Sequence, residues 1–100
     1  NMARHKRKRK VAALPKVTVL TANYPIANGR EEAMTVEEYE TVRLIDHVGL
    51  TQSGAAERMG VARTTVQAIY YNARQKMARL FVEGGTLKVE GGDYNIAPEE

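Results

Sequence analysis

The chain has 100 residues, 43% of them apolar, which suits one small domain and is too little for a large core. It contains no cysteine, and this excludes disulfides, thiolate zinc sites and cysteine nucleophiles. The net charge of +3 conceals a strong segregation of 15 basic and 12 acidic residues.

Residues 1–30 hold eight bases and no acid, and 31–57 hold seven acids against Arg43 alone. Residues 58–82 hold five bases and no acid, and 83–100 hold five acids against Lys88. Clustered Lys and Arg are the electrostatic footprint of a polyanion, because at phosphates they release condensed counterions. The apolar runs fall far short of the ~20 residues of a membrane span. The basic start is followed only by VAAL before Pro15, too little for a secretory apolar segment. The expectation is a soluble, cytoplasmic protein.

Residues 2–10, MARHKRKRK, lack apolar periodicity and are expected to be disordered, within a flexible basic arm spanning 1–14. Arg4, Lys6, Arg7, Lys8, Arg9 and Lys10 are the arm's candidate contacts to a nucleic-acid backbone. Beyond Pro15 the β-branched residues predict a short strand over 16–21. Residues 22–34, with Pro25 and Asn28-Gly29, read as a turn-rich loop.

A helix start follows at Thr35, whose hydroxyl can cap the first turn while Glu38 reaches back to the cap. Tyr39, Val42, Ile45 and Val48 recur at three-residue steps beside Leu44, giving an amphipathic helix that ends at Gly49. Its acids, Glu37, Glu38, Glu40 and Asp46, are expected to face water.

The most informative stretch is QSGAAERMGVARTTVQAI, from Gln52 to Ile69, which reads as a helix-turn-helix. A helix is expected over 51–59, capped by Thr51. Ala56 is small where the next helix crosses closely. Gly60 ends the helix where a left-handed backbone is cheapest without a Cβ. Ala55, Met59, Val61, Val66 and Ile69 are the apolar residues that hold the two helices together. The next helix is predicted over 63–83, because Val66, Ile69, Tyr70, Ala73, Met77, Leu80 and Phe81 form a sustained stripe. The end of that stripe (Met77, Leu80, Phe81) needs a cover, for which the first helix and a second subunit are the candidates.

Gly84-Gly85 stops the helix, and TLKVE over 86–90 alternates as a strand that needs a partner. Residues 16–21 are the economical choice, in the same chain or another. The domain is expected to close at 94, leaving 95–100 as a frayed acidic tail.

In a helix-turn-helix the start of the second helix faces the bases. Arg63 can pair bidentately with guanine and Gln67 with adenine, while Thr64 and Ala68 can touch a thymine methyl. Tyr71 completes that face. Thr51, Gln52, Thr65, Arg74 and Lys76 are the candidate phosphate contacts. Ala62, before the helix, cannot cap it as Ser would, so the helix start is loose or draws on a phosphate as its acceptor.

No catalytic or metal-binding constellation is visible. His5 lies in the arm, His47 near a helix end, and Glu37-Glu38-Glu40 reads most simply as a solvated helix face. No cofactor is expected.

LPK near the start, the run LTQSGAAERMGVARTTVQAIYYNARQKMARLFVEG, and LKVEGGDY resemble the prokaryotic family called domain of unknown function 134, whose members are predicted DNA-binding proteins. The resemblance covers most of residues 7–94. GVARTTV and NARQKM are also similar to region 4 of sigma factors. What these resemblances imply is a winged or strand-flanked helical domain acting at duplex DNA in transcription. They bring no target and no base contacts. Ala62 and Gly54 depart from the Ser and Glu common in such motifs.

The expectation is thus a mainly helical protein, a three-helix helix-turn-helix domain with short flanking strands, that reads double-stranded DNA as a transcriptional regulator. A homodimer would supply two half-sites. The alternative is a protein-interaction module, for instance docking on RNA polymerase through its acidic first helix and exposed apolar residues, with weak DNA binding of little sequence preference.

Overall fold

The computed structural model describes residues 8–24 and 30–99. In chain order the elements are β1 (Arg9–Val11), β2 (Val19–Thr21), β3 (Glu31–Met34), α1 (Val36–Val42), a π-helical turn (Arg43–Val48), α2 (Gln52–Met59), α3 (Arg63–Glu83), β4 (Thr86–Val89) and β5 (Tyr94–Ile96). Helices and small strands share the domain. β1 and β5 pair in parallel as one small sheet, while β2, β4 and β3 form a second with β4 in the centre.

Each helix boundary has a local cause. The Thr35 hydroxyl accepts the Glu38 N–H at 3.1 Å, and Glu38 Oε1 accepts the Thr35 N–H at 2.9 Å, closing the capping box. Thr51 Oγ1 accepts the Gly54 N–H at 3.0 Å at the start of α2. Gly60 ends α2 at φ 70°, a left-handed conformation that costs a residue with a Cβ about 1–2 kcal/mol. α3 starts from Ala62 with no side-chain cap, as its sequence predicts.

Two cores result. Val11, Met34, Val36, Ala73, Leu87 and Val89 bury one, joined by Tyr39, Val42, Leu80 and Tyr94. Leu44, Ala55, Ala56, Met59 and Val66 bury the other, with Ile45, Leu50 and Val61 against it. α3 runs through both. The first helix serves both as well, and the change from α to π winding at Arg43 falls where its inward residues pass from one core to the other.

The strands expected over 16–21 and 86–90 are found at Val19–Thr21 and Thr86–Val89, paired antiparallel within the chain. Three expectations need correction. Residues 31–34, read as loop, form β3 on the other edge of β4. Their EEAM sequence has no apolar alternation, and only Met34 is buried, so pairing rather than pattern makes the strand. Residues 9–11 lie inside the expected flexible arm, yet they form β1, with Val11 fully buried. Their partner β5 lies in the expected tail, and Glu99 beyond it pairs with Arg43 and Arg58.

The third correction concerns α1. Glu37, Glu38 and Glu40 are buried, not solvated. Glu37 accepts the Asp93 N–H, Glu40 accepts the Ala12 N–H and binds Arg43 through two hydrogen bonds of 2.9 Å, and Glu38 takes Lys76 Nζ at 2.8 Å. These carboxylates stitch the chain's two end strands to the helices, and burial is tolerable because each is hydrogen-bonded.

Candidate nucleic-acid interface

α2 and α3 are joined by three residues, 60–62, and the Val61 N–H returns to the Ala56 carbonyl at 3.1 Å. This turn and the buried Ala55, Ala56, Met59 and Val66 hold the two helices against each other. The opposite side of α3 is therefore left open. Ala62, Arg63, Thr64, Gln67, Ala68 and Tyr71 are all exposed, so every candidate base-contacting residue lies on solvent-accessible surface of the helix's first turns. Arg63 leans loosely towards Gln52 and Gln67, at 3.4 and 3.5 Å, and binds neither tightly.

The candidate phosphate contacts separate into two groups. Thr51 is exposed, with its hydroxyl already accepting from Gly54, and Gln52 is half-buried beside Arg63. Thr65 lines an open cleft of about 640 Å³ together with Arg9, Glu57 and the turn residues 60–62. Lys10 lays its stem along Gly60, and Lys8 is exposed beside it. β1 thus brings the end of the basic run to the turn that starts α3. Arg4, Lys6 and Arg7 lie outside the described residues.

Arg74 and Lys76 are committed elsewhere. Arg74 donates to the Tyr70 hydroxyl at 2.5 Å, lies 3.4 Å from Asp46, and stacks over the Tyr70 ring at 5.4 Å. Burial pushes the Tyr70 phenol above its ordinary pKa, and its hydrogen bond to Asp46 adds to the effect. Arg74 nevertheless remains more than half exposed and can reach a backbone. Lys76 cannot: it is largely buried in its ion pair with Glu38, so that expectation is corrected. α3 turns residue 76 towards α1, a direction no local pattern discloses.

The approach of Arg9 and Lys10 to the turn was equally invisible in sequence, because it depends on pairing with β5, some 85 residues away in the register Arg9↔Tyr94. Arg9 Nη1 lies 3.8 Å from Asp93, and Arg9 Nε is buried with no hydrogen-bond partner among the described residues.

Fold and site together define a small mixed helix–strand domain built on two helices joined by a three-residue turn, with a basic strand end beside the turn. The chain belongs to the family described as protein of unknown function DUF134, whose model matches residues 1–97. A protein called UPF0251 protein in Desulfitobacterium hafniense is 57% identical over 63 residues, which are 63% of this chain and 50% of that relative. One from Halothermothrix orenii is 40% identical over 97 residues, covering 96% of this chain and 72% of its own length. A third, from Dehalococcoides mccartyi, is 36% identical over 89 residues, 88% of this chain and 76% of that one. The chain spans about half the length of the Desulfitobacterium relatives it matches. No solved structure matches it.

Proposed function

We propose that this protein is a helix-turn-helix DNA-binding protein that reads sequence in the major groove and acts as a transcriptional regulator in the cytoplasm. The observation that carries the reading is the exposed start of α3, where Arg63, Thr64, Gln67, Ala68 and Tyr71 stand free of the core beside a basic strand end. Arg and Gln are the side chains that pair bidentately with guanine and adenine edges. Arg9, Lys10 and Arg74 flank that face and supply phosphate contacts that hold the helix in register. A phosphate seated in the cleft between Arg9 and Thr65 would also give the uncapped N–H groups of α3 an acceptor.

The alternative of a module docking on RNA polymerase would use an acidic face of α1 together with exposed apolar residues. Glu37, Glu38 and Glu40 are engaged inside the molecule, which takes away the acidic half of that surface and leaves only exposed apolar residues such as Phe81.

The test is selection from a pool of random duplexes, followed by anisotropy titrations from about 50 to 200 mM salt. One enriched motif is expected. Arg63→Ala and Gln67→Ala should each relax one position of it by about 1–3 kcal/mol, and Arg74→Ala should weaken binding to all sequences alike. Binding without enrichment would remove the sequence-reading claim. Absence of binding at low salt would remove DNA altogether.

A further inference from the structure

The far end of α3 carries a surface that the DNA reading leaves unused. Met77 and Phe81 sit one turn apart on one face, and Phe81 is 91% exposed. Beside them β2 contributes Leu20, and the segment before it Val17, which are 42% and 57% exposed. Together with Tyr39 and Leu80 they line a groove of about 930 Å³, and none of the described residues lining it is charged. A polyanion has no partner there, and so large an exposed aromatic in an apolar groove marks an interaction surface.

We infer that this groove seats a second copy of the chain, related by a twofold axis near the Met77–Phe81 turn. Three arguments single out a second copy. The patch is self-complementary: the Phe81 knob stands on the rim of the groove, so two copies can exchange knobs isologously.

Its area also fits. An aromatic side chain offers about 200 Å², and each of the three half-exposed aliphatics about 50 Å², so two copies bury roughly 700 Å² of apolar surface. With the usual apolar share, near 60%, that corresponds to about 1,200 Å² in all, just above the threshold for a specific but modest interface.

The third argument rests on the DNA reading. Gln67 lies about 18 Å along α3 from the midpoint of Met77 and Phe81. Two helices running antiparallel across a dyad at that midpoint hold their Gln67 residues about 36 Å apart. Half-sites one helical turn apart on a duplex are spaced by about 34–36 Å.

The test is sedimentation velocity on the full chain from micromolar to millimolar concentration, for wild type and Phe81→Glu. Wild type is expected to rise towards twice the mass of the chain, while F81E stays at the monomer mass with unchanged circular dichroism. On duplex DNA, F81E should match wild type at a single half-site and bind a palindromic pair at least tenfold more weakly. Wild type remaining monomeric throughout overturns the proposal and leaves the groove to a different occupant. An F81E variant that dimerises like wild type overturns it as well. Because mass is measured without DNA, a dimer sensitive to F81E in a protein that binds no duplex would refute the DNA reading and leave the interface standing.

Discussion

Ala62 precedes α3 where the helix needs an acceptor, and it offers none. The first N–H groups of the helix are left to solvent or to a bound anion. Ala62→Ser should therefore raise the stability of the free protein by about 0.5–2 kcal/mol, which in a domain of this size lifts the melting temperature by several degrees. An unchanged melting temperature would mean that the start of α3 is already satisfied. Arg63 and Gln67, a turn further on, contribute little to the fold: both are exposed, and their mutual contact is long. Their truncation should be nearly silent in stability, so any effect on DNA selection is separable from folding.

Among elements, the tie between β3 and α3 is electrostatic as well as apolar, since Met34 and Ala73 lie in the same core. Arg79 donates to both oxygens of Glu32, at 3.1 and 2.5 Å, and these hydrogen bonds hold the Glu32 carboxyl below its ordinary pKa. Glu99 is held low in the same direction, first by its hydrogen bond from Arg43. When folded pKa values lie below unfolded ones, the unfolded chain takes up protons first as pH falls. The stabilising contribution is therefore complete above about pH 4.5, the ordinary carboxyl value, and drains as pH drops through the depressed folded values. Urea midpoints should fall between pH 6 and pH 3, and less steeply in the double variant Glu32→Gln, Glu99→Gln. Equal slopes would show that the acid sensitivity lies in other carboxylates. The Glu32 side chain is 26% exposed and that of Glu99 41%, so solvent screening keeps the effect small.

At the scale of the whole molecule, β1 and β5 bind the two ends of the described chain into one layer under α1. Val11 and Tyr94 join that layer to the core, Val11 as its fully buried member, and the Val11 carbonyl accepts the Ala97 N–H at 2.7 Å. Val11→Ala removes two buried methyl groups and should cost about 2 kcal/mol. It should also loosen both ends together, seen as faster hydrogen exchange at the Ala97 amide. Protection unchanged at Ala97 would mean that the pairing does not depend on the core beneath it. Since the same strand carries Arg9 and Lys10 to the turn before α3, the fold of the ends and the placement of the basic surface are one structural fact.

The helices were legible in the sequence because their signals are local. The Thr35–Glu38 capping box, the Thr51 cap, the left-handed Gly60 and the stripe from Val66 to Leu80 all lie within a few residues of what they control. So do the exposed positions at the start of α3, which follow from which residues the α2–α3 contact buries. The tertiary structure alone decided the rest. EEAM and RKV become strands by pairing with β4 and β5, and the acids of α1 turn inward because Ala12, Lys76 and Asp93 meet them from distant positions. A run of charge reads as solvated until the partner that satisfies it is known, and that partner is set by chain folding over dozens of residues.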